Sequence, residues 1–220
     1  MTMESVQSLL NRLITFAYST GTKSGVEMTR YYMYRALKNK LTAFDSNNKA
    51  ALSISHSNNL IPLLGLHNAT TVEANWPEYN LLDLSFESGT FDFVVSDQVL
   101  EHIGGNPYRA FAETARVLKP GGLFCHTTCF IMCIHGDPSD YWRFTPEALR
   151  ELSTANGLDV IETDGWGNRE AWSLMHMGFW TSDVPADPTN PINQIASYNE
   201  PRYPIVVWVI GRKPLQEAIA

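Results

Sequence analysis

Apolar positions along this chain follow two rhythms, and the change from one to the other is clearest between residues 91 and 128. Phe91 to Val95 is a near-continuous aromatic and β-branched run, the pattern of a strand buried on both faces of a parallel sheet. Ser96 and Asp97 end it. From Asn106 to Leu118 the residues Phe111, Ala112, Ala115 and Leu118 recur at helical spacing, while Arg109, Glu113 and Arg116 take other faces. Asn106 suits an N-cap, Pro107 the first helical position, and Lys119-Pro120-Gly121-Gly122 a stop, after which Leu123 to Thr127 reads as a second strand. Strand, helix and strand of this length make a right-handed crossover, so the two strands are parallel and end on one edge of the sheet. Open α/β sheets bind ligands at that edge, which directs attention to Ser96 through His102 and to the loop that starts at Thr127.

The flanks extend the same alternation. Residues 3–18 carry Val6, Leu9, Leu10, Leu13, Phe16 and Ala17 at helical spacing, and a second helical pattern with Tyr31, Tyr32, Met33, Tyr34, Leu37 and Leu41 runs from about Gly25 to Phe44. These helices either pad the sheet or use their tyrosines to roof the ligand edge. Lys49 to Ser55 is the first strand, Asn58 to Leu66 a short helix or turn interrupted by Pro62, and Thr70 to Glu73 a very short strand ending in a carboxylate. Too few residues separate Glu73 from Leu81-Leu82-Asp83-Leu84 for a full helix, so a loop holding Trp76-Pro77 joins them. Thr145 caps a helix that starts at Pro146 and stops at Gly157, Leu158 to Thr163 is the next strand, and Tyr203 to Gly211 is the last. Between them, residues 165–202 hold a helix near Glu170 to Met177 and then a stretch rich in proline and asparagine; so long an insertion suggests a lid or interface element.

At 220 residues and 44% hydrophobic, the chain suits one sizeable α/β domain, with residues 1–48 as a helical segment packed on a domain of residues 49–220. A net charge of −7 argues against a general nucleic-acid binder. No apolar run reaches the roughly 20 residues that span a bilayer, and no signal-peptide core opens the chain, so a cytoplasmic address without membrane contact is expected. Cys125, Cys129 and Cys133, crowded together and odd in number, do not form a disulfide framework. Their C-x3-C-x3-C spacing reads as small buried hydrophobes rather than a metal set, and no metal is expected. Self-association, if it occurs, is expected through the apolar N-terminal helices as a homodimer.

FDFVVSDQVLEH followed by AETARVLKPGG resembles class I S-adenosylmethionine-dependent methyltransferases of the type 11 kind, and HGDPSDYWRFTPEALREL looks like a branch of that group with an aromatic, charged loop after the fifth strand. The resemblance covers roughly residues 49–164. It implies a Rossmann-like sheet of seven strands in the order 3-2-1-4-5-7-6, with YPIVVWVIG as an antiparallel seventh strand. One departure stands out. Where the family has an acidic residue and a glycine-rich turn, this chain has LSISHSNN: Ser53 replaces the acid, and Ser55, Ser57 and Asn59 stand where glycines are expected. Glycine serves there because backbone approaches the cofactor closely. Serine is small and asparagine tolerates left-handed geometry, so the turn either survives, with hydroxyls as hydrogen-bonding groups, or is filled in.

The resemblance implies S-adenosylmethionine as cofactor, with Ser53, Ser55 and Ser57 in the turn, Glu73 on the ribose hydroxyls, Asp83 and Leu84 at the adenine, and Ser96, Asp97 and Gln98 beside the methionine part. Methyl transfer from a sulfonium needs alignment and removal of an acceptor proton more than covalent help. His135 is the first choice of base, because a near-neutral imidazole suits hydroxyl deprotonation; otherwise it contacts substrate or fastens its loop. His102 is the second choice, or a packed histidine of the LEH run. Asp137, Asp140, Tyr141, Trp142 and Arg143 share the loop of His135, and of these Asp140, Tyr141, Trp142 and Arg143 are expected to meet the acceptor; Arg143 either pairs with Asp140 or grips an acidic group. The expected reaction is O-methylation of a small polar molecule, a sugar or secondary metabolite. The alternative is a methyltransferase-fold binding or regulatory protein without catalysis.

Overall fold

The computed structural model describes residues 23–136, 138–179 and 183–215 together with Ser8, Thr15 and Ser19. The elements in chain order are β1 (Lys23–Glu27), α1 (Tyr31–Leu37), β2 (Ala50–Ile54), α2 (Leu60–Leu63), β3 (Thr70–Ala74), β4 (Phe91–Asp97), α3 (Pro107–Val117), β5 (Leu118–Cys129), α4 (Pro146–Thr154), β6 (Asp159–Trp166), α5 (Arg169–Leu174), β7 (Asp183–Pro185), α6 (Pro191–Ser197) and β8 (Val206–Arg212). A 3-10 turn spans Leu100–His102, and a wider helical turn, Met175–Phe179, extends α5. The helix expected over residues 3–18 lies outside the described residues. No helix among the described residues is long and apolar enough to cross a membrane.

Contacts divide the chain into two compact units, Leu37–Gly165 with Val207–Ala220, and Met1–Ala36 with Trp166–Val206. The larger unit is built on a six-stranded sheet in the order β3-β2-β4-β5-β8-β6. Strands β3, β2, β4 and β5 are parallel neighbours, with Ser53 opposite both Glu73 and Val95, and Val95 opposite Cys125. The core is built from Leu52, Val94 and Phe124 of these strands and Val207 and Val209 of β8, buried together with Phe111 and Val117 of α3 and Leu149 of α4. Both helices start where local chemistry says they should. The Asn106 side chain accepts from Tyr108 N ahead of Pro107, and the Thr145 hydroxyl accepts from Ala148 N ahead of Pro146. Strand β5 begins at Leu118 rather than Leu123, because Leu118 already pairs with Phe91 before a shift of register. Gly122 sits at that shift, where a Cβ would stand 2.9 Å from Lys119 O and 3.1 Å from Asp92 O.

The fold is the expected α/β sheet, with one correction: among the described residues the sheet holds six strands, not seven. The strand missing at the edge beyond β3 belongs where Leu81 to Leu84 run, and there the chain makes only an isolated bridge between Asn80 and Asp83. The reason is visible in α3. Leu84 N donates to Glu113 Oε2 (2.8 Å), Arg116 donates to Leu84 O (2.7 Å) and Phe86 O (2.6 Å), and Arg109 Nε donates to Leu82 O (3.0 Å). Side chains thus take the backbone groups a ladder would need.

In the smaller unit, the helix expected over residues 25–44 is replaced by a strand and a short helix. β1 pairs antiparallel with β7, Lys23 opposite Pro185 and Glu27 opposite Asp183, and only Tyr31–Leu37 is helical. Asn193 of α6 donates to Tyr31 OH (2.8 Å) and Pro185 O (2.7 Å), while Tyr32 stacks on Trp166 with ring centroids 3.4 Å apart. Asn168 caps α5 and donates to Ile195 O (2.8 Å) and Tyr198 O (2.7 Å). Among the described residues, 23–36 and the late insertion therefore build one unit.

Candidate functional site

A cleft of about 570 Å³ opens at the carboxyl ends of β2, β3 and β4 in the larger unit. Ser55 and His56 form one wall, Trp76, Tyr79 and Leu82 another, and Gln98, His102 and Tyr141 close the rest. Its volume lies within the range of small-molecule sites. Three of these residues hold left-handed backbone without being glycine: Ser55 (φ 50°), His56 (φ 62°) and Gln98 (φ 55°). Such geometry at a ligand edge stores strain that surrounding contacts must hold. Ser57 is the fastener. Its buried hydroxyl donates to Ile54 O and accepts from Asp97 N (2.8 Å), tying the turn after β2 to the end of β4. The turn survives without glycine, and the side chains of Ser55 and His56 border an open cleft. Asn59 is exposed and does not line it.

The other expected cofactor residues divide sharply. Gln98 lines the cleft, its amide donating to Thr127 Oγ1 (3.2 Å), and Thr127 in turn donates to Asp97 Oδ1 (2.6 Å). Glu73 lies beside the cleft rather than in its wall, receiving Asn58 Nδ2 (3.1 Å) and Asn75 Nδ2 (3.0 Å); Asn75 also accepts from His56 N (2.8 Å). Asp83 turns away, its side chain 88% exposed and 3.8 Å from Arg109, and Leu84 is buried in the core. Leu81 and Leu82 reach the cleft in their place. Ser53 is buried within the sheet, its hydroxyl without a partner among the described residues.

Ser96 is drawn into the core. Thr114 Oγ1 donates to Ala110 O (3.0 Å), so it must accept from His126 Nε2 (3.0 Å), which leaves Nδ1 to accept from Ser96 Oγ (2.7 Å). Burial keeps this imidazole neutral, with its pKa lowered to about 3. The unfolded chain takes up the proton near pH 6.5, so between 6.5 and 3 it binds more protons than the folded one, and stability falls as the pH drops through that window. From pH 6.5 to 5 this group is expected to remove about 2 kcal/mol of unfolding free energy. Denaturant titrations at the two pH values measure it, and His126→Gln should erase most of the difference.

The loop after β5 closes on itself. Arg143 forks onto Asp140 and donates to Trp142 O (2.8 Å) and Cys133 O (2.9 Å), while Asp140 also accepts from His135 N (2.8 Å). This pairing holds the Asp140 carboxyl down to about 2. Of the open alternatives for Arg143, the pair with Asp140 is the one formed. Trp142 Nε1 donates to Ile103 O (2.9 Å), and Tyr141 lies in the cleft wall against Gly104, where a Cβ would stand 3.0 Å from its ring. Asp137 lies outside the described residues. Cys125 and Cys129 are buried and Cys133 is exposed, all three unpaired.

His102 lines the cleft, and its Nδ1 must donate to Ser139 O (2.6 Å), because a carbonyl only accepts; Nε2 of the neutral ring is then the lone-pair nitrogen. His135 lies edge-on to it, ring centroids 5.1 Å apart, and is not part of the wall. Sequence reasoning passed over Glu101. It is fully buried, its Oε2 accepts from Thr128 Oγ1 (2.8 Å), and burial raises its carboxyl above the ordinary range. A carboxylate set between Leu100 and His102 in an apolar turn was the available signal. The aromatic wall of Trp76 and Tyr79 had none beyond its place in a loop.

Sheet order and ligand edge define the class I methyltransferase fold. Residues 24–126 are similar to the methyltransferase domain family, whose model matches over this range. A protein of Mycolicibacterium smegmatis described as a probable S-adenosylmethionine-dependent methyltransferase is 30% identical over 97 residues, 44% of this chain and 37% of that protein. The chain thus matches little more than a third of that relative's length. Among solved structures, the [4+2]-cyclase SpnF shares 15% identity with a TM-score of 0.51, covering 96% of this chain and 94% of its own. Phosphoethanolamine N-methyltransferase 2 of Haemonchus contortus, in complex with S-adenosylmethionine, shares 15% identity with a TM-score of 0.52, covering 95% of this chain and 60% of its own. At such identity the likeness concerns fold alone.

Proposed function

We propose that this protein transfers a methyl group from S-adenosylmethionine to a hydroxyl oxygen of a small polar acceptor, a sugar or secondary metabolite. The observation that carries the reading is the open cleft at the ends of β2, β3 and β4, one wall of which keeps glycine-like backbone at Ser55 and His56. The donor's chemistry suits the residues there. Glu73 offers a carboxylate for ribose hydroxyls, Trp76, Tyr79 and Leu82 offer flat and apolar surface for a purine, and Asp97 and Gln98 offer polar groups for the amino-acid end. Bound there, the cofactor supplies a methyl carbon already activated on a sulfonium.

The chain's own task is positioning and proton removal. Tyr141 gives the acceptor a surface at the cleft mouth. His102, oriented by Ser139 O, takes the hydroxyl proton on Nε2, which makes it the base in place of His135. Asp140 and Arg143 hold the loop that carries Tyr141. The three unpaired cysteines suit a reducing compartment such as the cytoplasm.

The test is incubation with methyl-labelled S-adenosylmethionine and a panel of sugars, phenols and amines, with products read by mass spectrometry. Label on oxygen is the expected result. Label confined to nitrogen would overturn the acceptor assignment, and no transfer to any acceptor despite cofactor binding would favour a binding or regulatory protein.

A further inference from the structure

We propose that Glu101, His102 and His135 form a site for a divalent transition-metal cation at the edge of the cleft. Each of the three offers one ligand atom, and these atoms all lie within 4.8 Å of one another. Two imidazoles and one carboxylate form a borderline nitrogen and oxygen set, which favours zinc, cobalt, iron or manganese over magnesium or calcium.

Two further observations point the same way. Glu101 is fully buried, yet its Oε1 has no hydrogen-bond partner among the described residues, an arrangement that costs free energy unless something binds there. Its other oxygen is held by Thr128 Oγ1 at 2.8 Å, which fixes the carboxylate plane. Both histidines are also oriented as metal ligands usually are, with the far ring nitrogen on an acceptor. His102 Nδ1 donates to Ser139 O (2.6 Å), and His135 Nδ1 donates to Cys133 O (3.1 Å) with Asp140 Oδ2 at 3.4 Å. Each Nε2 is left as the basic nitrogen.

Metal bonds to nitrogen and oxygen are about 2.0–2.2 Å long, which sets the ligand atoms within roughly 4.4 Å of one another in the loaded site. Any closing of the three atoms to those lengths falls to His135, which sits on a loop rather than a regular element. Three protein ligands leave further positions open, the mark of a catalytic rather than a structural site. Since His102 also lines the cleft, those positions adjoin the space assigned to the acceptor. In the loaded protein the imidazoles would be ligands, and the cation would acidify the acceptor hydroxyl in place of His102. That role rests on the methyl-transfer reading; the binding does not.

The full chain, stripped with chelator and titrated with cobalt(II) alone, should develop visible ligand-field absorption that saturates at one equivalent. Glu101→Gln and His135→Ala, each checked for an unchanged circular dichroism spectrum, should weaken cobalt binding at least tenfold. Absence of the bands, or equal affinity in folded His135→Ala, overturns the proposal. Because no methyl donor is present, this result stands apart from the outcome with S-adenosylmethionine.

Discussion

Glu113→Ala is expected to lower unfolding free energy by about 2–4 kcal/mol, the cost of breaking a mostly buried ion pair reduced for the partial exposure of its partner. The Glu113 carboxylate is 2% exposed, and it receives Leu84 N (2.8 Å) as well as Arg116 Nε (2.9 Å) and a terminal nitrogen (2.7 Å). Its removal leaves Leu84 N without an acceptor and frees an arginine that also holds Leu84 O and Phe86 O. These are the contacts that stand in for the missing edge strand beyond β3, and Leu81 and Leu82 of the same loop line the cleft. Stability and affinity for a cleft ligand should therefore fall together. Urea unfolding with calorimetry at a temperature where the variant stays folded separates the two. A variant that loses stability but binds as before would show that this loop is not part of the site.

The second large effect belongs to His102. Its ring faces the cleft with Nδ1 engaged, so His102→Asn removes the basic nitrogen while keeping a polar group of smaller size. Loss of a positioned base is worth about 10²–10⁴ in rate. Turnover should drop by that factor while affinity for the methyl donor changes little, and His135→Ala should have a smaller effect in metal-free buffer. Equal turnover in wild type and His102→Asn would remove proton transfer at this residue from the mechanism.

The central strand, helix and strand were legible because their determinants are local. Asn106 with Pro107 and Thr145 with Pro146 mark helix starts within a few residues of chain, and the run Phe91 to Val95 can satisfy its apolar surface only in a sheet interior. What escaped depended on distant partners. β1 reads as helix until residues 183–185 are available to pair with it. Leu81 to Leu84 lost their ladder to Glu113 and Arg116, side chains on a helix well down the chain. The same holds for the site. Ser55 and Gln98, at the ends of β2 and β4, line the cleft, whereas Ser96 was claimed by His126, whose neutral, buried ring no pattern reveals. Arg143 and Asp140 pair with each other, one of the two arrangements the sequence left open.

The account turns on whether the serine-lined turn after β2 admits an adenosine-bearing methyl donor. Isothermal titration of the full chain with S-adenosylmethionine, repeated with its demethylated product, tests this directly. Saturable binding in the micromolar range, about −8 kcal/mol, is the predicted result, weakened by at least tenfold in Glu73→Ala. Flat titrations with both ligands would contradict it.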